Sequence, residues 1–305
     1  MGSLRYQFIS SLDNSFNPNL NKHSYKKGNC DKQKIASYRY RRNLYNFSNN
    51  LVNYLRNNFD DIRNIKDIQD YHIYAFFKEK EQCCSYRTLI QYRSYINVLD
   101  RCIIQNLHFK ANLHKGVPEI KKPVGKSEQD LKVRNLYMKQ EHINAILEYK
   151  KNSKSPALMG LRVSNLFGLR ASEIVNIRPR DFDLEDGTFK VIGKGGKTRV
   201  LKLETQEQYD LATEILDKYN NDEKLVPLRP DSYNRFIKDS LHNLGIYEYD
   251  KAKTGNHAIR KKVAIENIKK DMANGIAEKE AYERESKRLG HNRVSVVKSS
   301  YANAE

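Results

Sequence analysis

Disulfide chemistry, membrane spans and surplus negative charge are what this sequence lacks. Its 305 residues include four cysteines, Cys30, Cys83, Cys84 and Cys102. None forms a C-x-x-C pair, and the adjacent Cys83-Cys84 is a poor disulfide framework, so all four read as reduced thiols and no zinc site is indicated. No stretch approaches the roughly 18 consecutive apolar residues of a membrane span. The opening Met1-Gly2-Ser3-Leu4-Arg5 carries no signal-peptide apolar region. A soluble, non-secreted, cytoplasmic protein is expected. Acidic residues are outnumbered, 37 Asp+Glu against 55 Lys+Arg, for a net charge of +18. That excess calls for a polyanion, either nucleic acid or an anionic membrane surface, and charge alone does not separate them.

What is present supports a folded chain. Hydrophobic residues make up 39 %, enough to build a core. One core stops growing at roughly 250–300 residues, so two domains are expected. Residues 1–34 are polar and without sustained periodicity, and read as a flexible basic arm, or one that touches DNA. Helical spacing starts at 35. Tyr38, Tyr45, Phe47, Leu51, Tyr54 and Leu55 recur at three- and four-residue steps, followed by candidate helices over 62–68, from Asp70 and from Ser85. These make an all-α module over 35–115. Tyr and Arg interleave at Arg39, Arg41, Arg42 and again at Arg87 and Arg93. Such a face either neutralises phosphates or is simply a solvated basic surface.

Residues 116–135 hold Gly116, Pro118, Pro123 and Gly125 among lysines, including Lys121 and Lys122, and read as an interdomain linker that either lies along a polyanion or is solvated. Beyond 136 the text is helical, except where Thr188–Ile192 and Arg199–Leu203 flank Gly193-Lys194-Gly195-Gly196-Lys197. This is a β-hairpin with a lysine-bearing turn. It lacks P-loop spacing and precedes a strand rather than a helix, so it is not a nucleotide cradle. A lysine displayed there can donate a proton to a leaving oxygen, though most such turns only reverse the chain.

Three further phrases carry chemistry. In Leu169-Arg170-Ala171-Ser172-Glu173, Ser172 reads as a helix N-cap and Glu173 as a brace for the Arg170 guanidinium, or the two charges form a surface ion pair. His257 and Arg260 share a helix face and can meet one phosphate. Leu289-Gly290-His291-Asn292-Arg293 is followed by Tyr301, whose hydroxyl, with an ordinary pKa near 10, needs nearby cations to become a nucleophile.

Taken in order, Arg170, Lys194, His257, Arg260, His291 and Tyr301 resemble the tyrosine recombinase, or phage-type integrase, family over about 136–305, with the helical module matching that family's core-binding domain. The resemblance implies a mainly α fold: an all-α SAM-like core-binding domain, then a mixed α/β catalytic domain with a small β-sheet. It implies that Arg170 and Arg260 hold the scissile phosphate, Tyr301 attacks it to leave a 3′-phosphotyrosyl link, and Lys194 protonates the leaving 5′-oxygen, Lys197 being the substitute. His257 would assist proton transfer, His291 would hydrogen-bond the phosphate, and Glu173 would brace the arginines. No cofactor is implied, neither ATP nor metal. The implied partners are double-stranded DNA recombination sites, a homotetramer on synapsed duplexes passing through a Holliday junction, and a host DNA-bending or directionality factor, with no membrane.

Three departures from the family pattern stand out. His257 and His291 lie 34 residues apart, with extra charged text around Asp271 to Glu285. That length favours a mobile-element integrase over a Xer-like resolvase. The step from His291 to Tyr301 is ten residues where the family usually has nine, and one residue is about 100° on a helix. Only Ala302–Glu305 follow the tyrosine, too little for the C-terminal helix that many relatives dock into a neighbour. The shifted tyrosine is also the one support for a cleavage-deficient architectural DNA-binding protein.

Overall fold

The computed structural model describes residues 2–20, 35–122, 136–250, 255–291 and 294–301. The chain forms two compact units, Met1–Gly125 and Lys126–Glu305.

In the first unit α1 (Leu4–Asn14), α2 (Tyr38–Asn58), α3 (Asp70–Cys83) and α4 (Tyr86–Leu107) surround one core. α2 starts where Ser37 accepts a hydrogen bond from the Tyr40 N–H, and α4 where Ser85 accepts one from the Thr88 N–H. Leu44, Phe47, Leu51 and Leu55 give α2 its buried stripe. Two sequence expectations change here. Residues 4–14 of the presumed flexible arm are helical, because Leu4, Phe8 and Leu12 recur every four residues and all three are buried. The helix is further tied in where Asn106 donates to the Ser11 carbonyl (3.1 Å) and Ser15 Oγ (2.8 Å), and where Gln7 Oε1 accepts from the Ile65 N–H (3.1 Å). Residues 21–34, with Cys30, lie outside the described residues. The candidate helix over 62–68 reduces to one 3-10 turn, Ile65–Asp67. The Asp67 carboxylate accepts from the Arg63 and Asn64 N–H groups and closes the turn before a helix can propagate.

In the second unit α5 (Gln140–Tyr149), α6 (Pro156–Phe167), the single turn α7 (Ala171–Ile174), α8 (Gln206–Lys218) and α9 (Pro230–Asn243) pack around an antiparallel sheet of order β1-β2-β3. The hairpin is β2 (Thr188–Ile192) and β3 (Thr198–Lys202). A third, two-residue strand, β1 (Phe182–Asp183), was not legible in the sequence. Strand alternation buries Phe189 and Val191, and Phe189 stacks on Phe182 with ring centroids 4.1 Å apart. The unit closes with α10 (Gly255–Ala273), α11 (Glu278–Arg288) and α12 (Val294–Tyr301). The charged text around 271–285 is therefore the end of α10 and most of α11, joined through Ala264, Ile268, Ala281 and Tyr282. α6 ends at Gly168 with φ +60, where a Cβ would stand 3.1 Å from the Val263 side chain; that close approach brings the next residues, Leu169 and Arg170, against α10. Among the described residues, no helix is long and apolar enough to cross a membrane.

Candidate active site

The site is organised by a buried carboxylate. Arg170 occupies the N-cap position of α7, so the expectation that Ser172 caps this helix is corrected: Ser172 lies inside the turn. The Glu173 side chain is 1 % exposed and reaches back to close the turn. Its Oε2 accepts from the Arg170 backbone N–H (2.9 Å) and its Oε1 from Arg170 NH1 (2.8 Å). Arg199 on β3 meets the same carboxylate with two prongs, NH1 to Oε1 at 3.0 Å and NH2 to Oε2 at 2.8 Å, and Arg260 NH1 stands 3.7 Å from Oε2. Burial opposes ionisation of Glu173, but the Arg199 hydrogen bonds, the Arg170 N–H and the charges of Arg199 and Arg260 outweigh it and hold the carboxyl down at about 2. Glu173 is thus an anion held among the guanidinium groups of Arg170, Arg199 and Arg260.

Arg260 is 1 % exposed, its NH1 donating to the Gly168 carbonyl (2.8 Å) and its NH2 to that of Leu289 (2.6 Å). It therefore joins the end of α6 to the segment after α11. His257, one turn earlier on α10, lines a cavity of about 450 Å³ with Arg170, Arg260, Asn234 and Arg235. His291 follows Gly290 (φ +64) and is held by its N–H to the Ser286 carbonyl (2.8 Å) and by Ser286 Oγ to its own carbonyl (2.9 Å). Its Nε2 lies 3.4 Å from Arg170 NH2. Both imidazoles are pushed down to about 4. Desolvation is the main cause for each; Arg260, Lys261 and Arg170 add to it at His257, and Arg260 and Arg170 at His291. Each is a neutral hydrogen-bonding group at pH 7.

Lys194 opens the turn between β2 and β3, which is cinched where the Gly193 N–H donates to the Lys197 carbonyl (2.7 Å). Gly195 and Gly196, at φ +77 and +74, supply the left-handed backbone that the turn requires. Lys197 is exposed. Tyr301 ends α12, four residues after the buried Val297. For Lys194 and Tyr301 the described part is the backbone.

Arg170, Glu173, His257, Arg260 and His291 are thus brought together. Sequence reasoning missed three residues around them. Arg199 lies on the face of β3 that also carries buried Leu201, a charged residue at an inward position of the strand. Asn256, fully buried, accepts from Ser164 Oγ (2.5 Å) and the Tyr233 hydroxyl (3.0 Å) and donates to the Leu169 carbonyl (2.7 Å), fixing the approach to Arg170. Lys261 is 5 % exposed, one turn beyond His257 on α10.

In the first unit, Arg39, Arg42, Arg87, Arg93, Lys121 and Lys122 are exposed. Arg41 is half-buried: it donates to Asp13 Oδ1 (2.9 and 2.6 Å) and the Tyr45 hydroxyl (2.7 Å) and lies over the Phe16 ring, and so fastens α1 to α2. Arg87 lines a groove of about 500 Å³ between α2 and α4 with Asn43, Asn46, Asn50 and Gln91.

Comparison with known proteins follows the same lines. Solved structures share the fold. A lambda integrase dimer bound to a COC′ core site matches with TM-score 0.64 and 15 % identity over 99 % of this chain and 78 % of that one. The XerH site-specific recombinase bound to difH substrate in a pre-cleavage complex matches with TM-score 0.64 and 15 % identity over 97 % and 91 %. The Tn1549 transposon integrase, in complex with circular intermediate DNA, matches with TM-score 0.54 and 12 % identity over 100 % and 97 %. No curated protein sequence matches. The sequence pattern of the phage integrase family matches residues 136–305, more than half of the chain and the whole of the arginine–histidine site, and the protein belongs to that family of tyrosine recombinases.

Proposed function

We propose that this protein is a site-specific DNA recombinase that cleaves and rejoins DNA through a 3′-phosphotyrosyl intermediate. The observation that supports it most is the Arg170–Glu173–Arg260 cluster facing two neutral imidazoles. A buried carboxylate aims guanidinium groups, and Arg170 keeps 27 % of its side chain exposed toward a cavity that it shares with His257. Preorganised cations of this kind stabilise the charge that develops on a pentacoordinate phosphate.

In this reading the Tyr301 oxygen attacks the phosphorus. The new P–O bond to tyrosine forms as the bond to the 5′-oxygen breaks. Neutral His257 accepts the phenolic proton, its basicity rising as the phosphate's charge arrives beside it. Lys194 delivers a proton to the departing 5′-oxygen, and His291 donates to a non-bridging oxygen beside Arg170. Rejoining runs the same steps backwards, so the bond energy stays in the phosphotyrosine. Duplex contacts outside the site fall to Arg39, Arg42, Arg87, Arg93, Lys121, Lys122 and Lys197. A solved lambda integrase tetramer is bound to a Holliday junction, and we extend that assembly to this chain, with integration and excision of a mobile element as the biological setting.

The test is a nicked duplex that traps cleavage, incubated with protein in EDTA. A covalent adduct from wild type that is lost in Tyr301→Phe supports the reading. Tight binding to the native element ends with no adduct favours a non-cleaving architectural protein of the same fold.

A further inference from the structure

Two glycines in separate motifs meet one guanidinium. A Cβ at Gly193, the residue before Lys194, would lie 3.3 Å from Glu173 Oε1 and 3.4 Å from Arg199 NH1. A Cβ at Gly290, the residue before His291, would lie 3.2 Å from Arg199 NH1 and 3.3 Å from its Cδ. Arg199 is packed between the backbones that carry Lys194 and His291. Its side chain is 12 % exposed and its polar contacts run both ways. NH1 and NH2 form the fork on Glu173, while Nε donates to the Arg288 carbonyl at 2.8 Å, at the C-terminus of α11. β3 itself is in register with β2 through the pair Val191–Arg199, so the strand that holds the guanidinium also holds the base of the lysine turn.

We propose that Arg199 is the positioning residue of this site, the one side chain that sets the Lys194 turn and the His291 segment against the Arg170–Glu173 pair at the same time. The inference rests on the recombinase reading above and adds a device to it. The hairpin, the α7 turn and the segment after α11 come from distant parts of the sequence; Arg260 ties that last segment to the end of α6, and Arg199 ties it to the hairpin and to Glu173. A planar fork satisfied on three sides fixes both distance and orientation, which an ammonium on the same stem does not. Arg199→Lys therefore keeps the charge and loses the registration.

Arg199 acts through Lys194 and His291, so its loss has a chemical signature. The experiment compares single-turnover cleavage by wild type, Arg199→Lys, Gly193→Ala and Lys194→Ala on two nicked duplexes, one with the ordinary 5′-oxygen at the scissile bond and one with a 5′-bridging sulfur. A thiolate leaves without a proton, so the sulfur substrate does not need a placed general acid. Arg199→Lys is expected to lose roughly 100-fold on the oxygen substrate, the size of a misplacement of about 1 Å, and to recover most of that loss on sulfur, as Lys194→Ala does. Gly193→Ala, whose backbone tolerates a side chain (φ −89), is expected to show the same pattern more mildly and guards against a folding defect in the arginine variant. In parallel, the His291 imidazole is followed by NMR titration and is expected to move from near 4 back toward 6.5 in Arg199→Lys.

Equal loss on both substrates by Arg199→Lys, with Lys194→Ala rescued by sulfur, overturns the proposal and leaves the recombinase reading intact. If Lys194→Ala is not rescued, the general-acid role of Lys194 fails instead. Arg199 is then decided by His291, whose unchanged titration in Arg199→Lys overturns it.

Discussion

Arg170 and Glu173 meet twice, once through the backbone N–H (2.9 Å) and once through the guanidinium (2.8 Å), within a single helical turn. The carboxylate is therefore part of the local fold and part of the charge cluster at once. Removing one partner of a buried charge network leaves the others uncompensated, at a cost of roughly 3–5 kcal/mol. Glu173→Ala is expected to lose stability on that scale, read by urea denaturation, and Glu173→Gln to keep the shape but lose most cleavage. The acid limb carries the same signature. With the folded carboxyl at about 2 and its ordinary value at 4.5, the Glu173 contribution is complete above 4.5 and is lost as pH falls toward 2. Glu173→Gln should remove that portion of the acid transition.

The two imidazoles predict a second pH effect. Folded His257 and His291 titrate near 4 against an ordinary 6.5, so the native state binds fewer protons than the unfolded chain between those values. Their contribution is complete above 6.5 and disappears as pH falls toward 4. Nitrogen-detected NMR should find both rings neutral at pH 6; a ring titrating at 6.5 contradicts the described packing.

Lys261 predicts the opposite side of the scale. Desolvation lowers its amine to about 8 from 10.5. The folded protein therefore disfavours the charged form, and stability should rise as pH increases from about 8 toward 10.5. Lys261→Met should raise the melting temperature at pH 7 and flatten that rise, both read by calorimetry.

Basic residues of the first unit separate into two kinds. If exposed Arg87 and Arg93 touch phosphates, each alanine variant lowers the slope of log affinity against log salt by about 0.9 without unfolding. Arg41→Ala should leave that slope alone and loosen α1 instead, because its partners are Asp13, Tyr45 and Phe16. Fluorescence anisotropy across a salt series distinguishes the two.

How much of this was legible in the sequence differs from element to element. α2, α4 and the hairpin announce themselves through apolar periodicity strong enough to override their polar content. α1 does not, since Leu4, Phe8, Ile9 and Leu12 are its only aliphatic or Phe positions and sit among Ser, Gln, Asp and Asn, and burial against α2 and α4 decides its state. The order of Arg170, Lys194, His257, Arg260 and His291 reveals the catalytic domain because order survives where spacing drifts. Arg199 stayed hidden for a physical reason. Strand alternation sets it on the inner face beside buried Leu201 and Val191, where a charged residue has meaning only through a partner, and that partner, Glu173, lies 26 residues upstream, a separation that carries no local signal. The Ser172 expectation failed through local competition, for a carboxylate three residues after Arg170 closed the turn first.

The central claim is that Tyr301 becomes covalently joined to DNA. The most direct measurement is to trap the adduct on a nicked duplex, digest both components and identify the linked peptide by tandem mass spectrometry. A 3′-phosphonucleotide on the peptide containing Tyr301 is the predicted result. Linkage to any other residue, or an adduct that persists in Tyr301→Phe, contradicts it.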